Sequence, residues 1–272
     1  MTQDFVNQQI KKINSKELPF SEKEAYKLVL NCIDLTTLEG SDTHQRVREL
    51  CHKTKNYPLD NASLPSTAAV CVYPVFIKTA LEELQNTDIK VACVAGAFPA
   101  GQSPIEVKLA EVKYAVEQGA HEVDMVISRG SFLEGDFEKV SNEIKAIKEA
   151  CGEAKLKVIL ETGELETVEN IYQASKIAID SGADFIKTST GKVAVNATPE
   201  AMFVMLTAIK EHYDKTGKMV GIKPAGGIAE PKDSLLYIKL VYYILGEKWM
   251  NNTMLRFGAS RLADKVAKAI IG

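Results

Sequence analysis

Ser181-Gly182-Ala183-Asp184-Phe185-Ile186-Lys187-Thr188-Ser189-Thr190-Gly191-Lys192 carries a helix exit, a short strand and a strand end in one continuous run. Gly182 suits the cap of a preceding helix, the aromatic and β-branched residues that follow read as a strand over Phe185 to Ser189, and Gly191 marks the turn beyond it. Lys187 therefore falls near the C-terminal end of a strand, in a largely apolar setting. Burial disfavours an ammonium, so the amine's pKa falls and the neutral form can attack a carbonyl to give a Schiff base. For a lone strand lysine the other reading is a packed stem beneath a solvated head.

The same punctuation recurs along the chain. Gly119-Ala120 stands between a helical pattern over Ser103 to Gln118 and a strand over Glu122 to Ile127. Further strands are expected at Cys32 to Leu38, Ala68 to Tyr73, Lys90 to Ala95, Lys157 to Glu161, Met219 to Lys223 and Met254 to Phe257, and a further helix at Thr198 to Tyr213. Strand and helix alternate through eight rounds with no Pro/Gly/Ser-rich linker. Such alternation predicts a parallel sheet closing as a (β/α)8 TIM barrel, with a doubly wound open sheet as the alternative. Residues 1–31 precede the first strand and read as a helical extension, a lid or an N-terminal cover, and residues 32–272 as the catalytic barrel. Ser21 and Glu24 have capping-box spacing at the start of its second helix.

In a barrel the chemistry collects at the C-terminal strand ends. There the first strand brings Asp34, Thr36 and Leu38, the second brings Cys71, and the third leads to Phe98 as a candidate apolar wall. Cys71 lacks a histidine partner in any nucleophile motif and reads as a small lining residue. Asp124 shares a strand face with Glu122, and an acid inside a strand must be paired or useful. The seventh strand ends in Lys223, one βα unit after Lys187, so two ammonium groups face one mouth. Their repulsion disfavours one of the charges and leaves a nucleophilic amine without a metal. Asp124 can offset the remaining charge and move protons. Gly191 and Lys192, Gly226 and Gly227, and Gly258 with Ser260 follow three consecutive strands, and their backbone N–H groups suit a phosphate. Arg261 opens the last helix and is either a phosphate ligand or a surface partner of Asp264.

Composition narrows the partners. A net charge of −3 argues against nucleic acid or an anionic membrane as the main target. No apolar run reaches the roughly 18 residues of a bilayer span, and Met1-Thr2-Gln3-Asp4 does not open a signal peptide. Five widely spaced cysteines suit reduced thiols, and four histidines lack zinc-site spacing. These features predict a cytoplasmic protein with small-molecule substrates, no metal and no cofactor.

Taken together, Asp34-Leu35-Thr36-Thr37-Leu38, Glu122-Val123-Asp124, Glu161-Thr162-Gly163-Glu164-Leu165, Phe185 through Pro199, Lys223-Pro224-Ala225-Gly226-Gly227 and Arg256-Phe257-Gly258-Ala259-Ser260 resemble the deoxyribose-phosphate aldolase family. The resemblance runs from Asp34 to Ala263. It implies a class I aldolase of (β/α)8 fold that reversibly cleaves 2-deoxyribose 5-phosphate to acetaldehyde and glyceraldehyde 3-phosphate in deoxynucleoside catabolism. It also implies Lys187 as the Schiff-base lysine, Lys223 as the lysine that perturbs it, Asp124 as the proton carrier, and a homo-oligomer. The hydroxyls of Thr188, Ser189 and Thr190 after Lys187 are suited to hold waters or substrate hydroxyls, with Thr190 the candidate substrate contact. Where many relatives carry an arginine this chain has Ala229, and it ends in Ile270-Ile271-Gly272 rather than in a tail with a terminal tyrosine. A transaldolase would keep Lys187 but handle a ketose donor, and a sugar-phosphate-binding barrel without catalysis is the reading from another class.

Overall fold

The computed structural model describes residues 1–55 and 64–272. Eight parallel strands follow one another in space: β1 (Ile33–Thr36), β2 (Ala69–Val72), β3 (Lys90–Ala95), β4 (Glu122–Val126), β5 (Lys155–Ile159), β6 (Phe185–Lys187), β7 (Gly221–Lys223) and β8 (Phe257–Ala259). β8 pairs with β1, and parallel bridges at Ile222–Leu255 and Ala225–Gly258 join it to β7, which closes the barrel. In chain order the helices are α1 (Gln3–Asn14), α2 (Glu22–Asn31), α3 (His44–Lys55), α4 (Ile77–Glu83), α5 (Ile105–Glu117), α6 (Arg129–Leu133), α7 (Phe137–Cys151), α8 (Thr162–Leu165), α9 (Val168–Asp180), α10 (Pro199–Thr216), α11 (Pro231–Leu245) and α12 (Leu262–Ile271). The doubly wound alternative falls with the closure.

Several strands are shorter than the apolar runs that announce them. β6 ends at Lys187, and the hydroxyls beyond it serve loops: Thr188 accepts from the Ala225 N–H and Thr190 donates to Glu161. β8 starts three residues late, at Phe257 rather than Met254. Met254 and Leu255 still bond toward β7, but pairing with β1 begins only where the Phe257 N–H donates to the Cys32 carbonyl at 2.8 Å.

The two faces of the strands divide the work. Outward residues such as Val123, Met125, Val158, Ile186 and Ile222 pack with Ile144, Ile171, Met202, Leu206 and Val241 of the surrounding helices to form the main hydrophobic core. Each such side chain contributes about 1.5–3 kcal/mol by leaving water. Inward residues include the charged Asp34, Glu122, Asp124, Lys157, Lys187 and Lys223, with the Phe185 ring packed among them. Gly221 is required opposite Phe185, since a β-carbon there would lie 2.3 Å from the ring.

The N-terminal extension is a flanking layer rather than a lid. Val6, Ile10 and Ile13 recur at helical spacing on α1 and are buried, with α1 packed against α10 and α11. α2 opens with the expected capping box between Ser21 and Glu24 and packs on α11 and α12. Both helices share the barrel's core. Among the described residues no helix is long and apolar enough to cross a membrane.

Candidate active site

Register decides which side chains meet inside the barrel. Lys187 of β6 stands directly opposite Lys223 of β7, and Asp124 of β4 directly opposite Lys157 of β5. Asp124 Oδ2 accepts from Lys187 Nζ at 2.8 Å and from Lys223 Nζ at 2.7 Å, while its Oδ1 accepts from Lys157 at 3.1 Å. Lys223 also donates to Asp34 Oδ2, whose other oxygen accepts from Arg256 at 2.6 Å. Arg256 reaches Glu122 Oε1 at 2.7 Å, and Lys157 donates to Glu122 as well. The result is one continuous buried network of four cations, Lys157, Lys187, Lys223 and Arg256, against three carboxylates, Asp34, Glu122 and Asp124.

The members of this network titrate differently. Burial alone would raise Asp124, but Lys157, Lys187 and Lys223 together hold it well below the usual carboxylate range. Asp34 is likewise depressed, by Lys223 and Arg256 against its own burial. Lys223 and Lys157 are raised because paired carboxylates outweigh burial. Lys187 alone is lowered: burial is the largest influence, Asp124 opposes it, and Lys223 adds to it. The like-charge explanation drawn from sequence is thus secondary to desolvation. A surplus cation in a closed network gives up a proton most readily where pairing is poorest, and Lys187 has a single carboxylate contact.

Above Lys187 lies a cleft of about 370 Å³. Thr36, Leu38 and Thr190 line it beside the amine, and Gly191, Lys192, Gly226, Gly227, Gly258, Ser260 and Arg261 line its outer part, so the three glycine-bearing strand ends do converge. Lys192 Nζ donates to Glu39 at 3.1 Å, and Lys265, a cleft residue that sequence reasoning passed over, pairs with Glu230. Gly226 has a φ of +74° and abuts Asn196, where a β-carbon would lie 2.8 Å from the amide. Asp264 is engaged by Lys53 of α3.

Three expected substrate contacts sit elsewhere than at the cleft wall. Asp34 is fully buried a layer below, with both oxygens committed to cations. Cys71 is fully buried in an apolar patch with Leu38, Ala92 and Val94, and burial raises its thiol pKa. Phe98 packs on that patch and meets Tyr73 edge-on with ring centroids 6.2 Å apart. The Thr190 hydroxyl donates to Glu161 and accepts from the Lys192 N–H, so it braces the turn. A broader open depression of about 1050 Å³ on the outer flank, floored by Ser128 and Glu143, holds none of the network residues.

Lys157 and Arg256 were not singled out as site residues from the sequence. The strand expected at Lys157 to Glu161 begins two residues earlier, at Lys155, so Lys157 lies in its middle and not at its start, whereas Arg256 carries the signal that exposes Lys187, a cation inside an apolar run.

Comparison with known proteins gives the family and the fold. Residues 28–239 match the model of the DeoC/LacD family aldolases. The human deoxyribose-phosphate aldolase is 47% identical over 249 residues, covering 88% of this chain and 78% of the relative. The bovine enzyme of the same name is 46% identical over 252 residues, covering 89% and 79%. Among solved structures, a tetrameric deoxyribose phosphate aldolase from Aeropyrum pernix superposes with a TM-score of 0.73 at 26% identity and covers 97% of both chains.

Proposed function

The chain belongs to the DeoC/LacD family of aldolases, and we propose that it is a deoxyribose-phosphate aldolase working through a Schiff base on Lys187. The observation that carries the reading is Lys187 itself, buried at a strand end, hydrogen-bonded to Asp124 at 2.8 Å and opening on a cleft rimmed by glycine turns.

In the cleavage direction the neutral Lys187 amine adds to C1 of the open-chain aldehyde, and water leaves to give an iminium. As the C3 hydroxyl loses its proton, the C2–C3 bond breaks and its electrons neutralise the iminium as an enamine. Glyceraldehyde 3-phosphate departs, C2 of the enamine takes a proton, and water hydrolyses the imine to acetaldehyde and free amine. Asp124 is ionised at rest, so it enters the cycle as a proton acceptor and returns the proton later. Lys223 and Lys157 stay charged and hold Asp124 in place. Gly191, Lys192, Gly226, Gly227, Gly258, Ser260 and Arg261 take the phosphate in the outer cleft.

On this reading the enzyme consumes the sugar phosphate left by deoxynucleoside breakdown, as a homo-oligomer. Five unpaired, buried thiols support a reducing compartment, the cytoplasm. The deciding assay is acetaldehyde release from 2-deoxyribose 5-phosphate, with borohydride quenching to capture the imine. Dihydroxyacetone transfer without acetaldehyde release would point instead to a transaldolase.

A further inference from the structure

Glu161 and Arg129 lie outside both the lysine network and the cleft lining, and they form an ion pair at the barrel rim. Glu161, just after β5, is fully buried and adopts a φ of +58°, a region that non-glycine residues enter only at a cost. That backbone turns its carboxylate toward the end of β6, where it accepts from the Thr190 N–H at 3.2 Å and from the Thr190 hydroxyl. Arg129, at the start of α6, donates to Glu161 at 3.3 Å, to the Pro99 carbonyl at 3.2 Å and to the Ala100 carbonyl at 3.1 Å, and it pairs with Glu164 at 2.9 Å. Four strand ends, those of β3 to β6, are therefore tied through two side chains.

What they tie is specific. Pro99 and Ala100 follow Phe98, which packs on the apolar patch of Leu38, Cys71, Ala92 and Val94. The loop is anchored on its other side too, where the Ala97 N–H donates to Glu111 at 2.8 Å. Thr190, at the far end of the tie, braces the Gly191-Lys192 turn by accepting the Lys192 N–H at 3.1 Å. A second close approach holds the loops after β5 and β6 together: a β-carbon on Gly163 would lie 2.1 Å from the Val195 carbonyl. The apolar patch and the glycine turn are thus held at a fixed separation across Lys187.

We propose that Arg129 and Glu161 are positioning residues that set the span between the apolar patch that backs Leu38 at the cleft and the phosphate turn, and so select a phosphorylated substrate of one length. The inference rests on the aldolase reading. Neither residue lines the cleft, so the effect is transmitted through Phe98 and Thr190, and a displacement of about 1 Å at the turn is enough to cost binding of the distal group.

The test compares Arg129→Met and Glu161→Gln with the unaltered enzyme. Each variant is expected to trap acetaldehyde with borohydride at a rate within about twofold of the parent, while its KM for 2-deoxyribose 5-phosphate rises about tenfold and that for 2-deoxyribose changes little. Arg129→Lys, which keeps the charge but not the fork that reaches both carbonyls, is expected to lie between. It also serves if Arg129→Met does not fold. Equal losses on both sugars, or unchanged KM values in a folded variant, overturn the proposal. An unaltered enzyme that releases no acetaldehyde overturns the aldolase reading instead.

Discussion

Lys187 and Lys223, paired across adjacent parallel strands, donate to the same oxygen of Asp124, at 2.8 and 2.7 Å. The two amines are nevertheless unequal, because Lys223 has a second carboxylate in Asp34 and Lys187 does not. The asymmetry fixes which lysine keeps its proton. Lys223 remains a cation, and Lys187 is the group that can supply a free electron pair.

The first consequence is a single site of covalent chemistry. Incubation with acetaldehyde and borohydride followed by peptide mass spectrometry is expected to place one ethyl group on the peptide containing Lys187. Lys187→Ala is expected to remove both the adduct and turnover. An adduct on Lys223 would reverse the two roles.

Replacing Lys223 by leucine removes one cation from a network that has one to spare. Attraction by Asp124 then acts on Lys187 unopposed by that charge, and the pKa of Lys187 rises. Every unit of rise cuts the neutral fraction at pH 7 about tenfold, equivalent to about 1.4 kcal/mol. Burial, the larger influence, is retained, so part of the activity is expected to return at alkaline pH. A variant whose pH profile keeps the parental shape rules out charge coupling between the lysines.

The depressed carboxylates make a prediction about stability. Asp34 and Asp124 have folded pKa values below their unfolded ones, so their contribution is complete above about pH 4 and is lost as pH falls through the folded values. Asp34→Asn leaves Lys223 and Arg256 short of a buried partner, which costs about 3 kcal/mol near neutrality. The deficit is expected to shrink below about pH 4, where the parent begins to lose the same contribution. Denaturant titrations at pH 7 and pH 3 measure both; a deficit independent of pH would mean that shape, not charge, is what asparagine disturbs.

Much of this was legible in the residues, and the omissions have a common cause. The barrel followed from glycine punctuation and alternation, and Lys187, Lys223 and Asp124 stood out because charged side chains interrupt apolar strands. Lys157 stands at the first position of the strand expected at Lys157 to Glu161, where a charged side chain is unremarkable; the strand in fact starts at Lys155, and the register with Asp124 places Lys157 inside the barrel. Arg256 depends on a strand whose pairing starts one residue after it. The hydroxyl run after Lys187 marks Thr190 as a substrate contact, yet its hydroxyl is claimed by Glu161, a residue distant in sequence and placed by an unusual φ. Local pattern gives the elements; which side chains share a layer depends on how neighbouring strands are staggered.

Gly221→Ala tests that layering. The added methyl meets the Phe185 ring, which also lies 5.8 Å from the Arg256 guanidinium and 5.9 Å from Lys157. Overpacking of this kind costs about 1–3 kcal/mol and moves the ring toward the charged layer. A lower melting temperature together with reduced turnover is expected. Turnover unaffected in a destabilised variant would separate the floor of the barrel from the chemistry above it.

Arg261 is expected to serve as a phosphate ligand in a chain that carries Ala229. It stands at the N-terminal cap of α12 and lines the cleft with Gly258, Ser260 and Lys265. A cation at the positive end of a helix is unfavourable by roughly 0.3–1 kcal/mol unless an anion lies near. The surface alternative, a pair with Asp264, loses force because Lys53 occupies that carboxylate. Arg261→Ala is therefore expected to raise KM for 2-deoxyribose 5-phosphate about tenfold, the scale of one charge-assisted contact, while leaving 2-deoxyribose turnover nearly unchanged. Because the contact is exposed, added salt is expected to raise the parental KM more than that of the variant. Equal effects on the two sugars, or a salt dependence that the substitution does not alter, would assign the phosphate to Lys192 and the backbone turns alone.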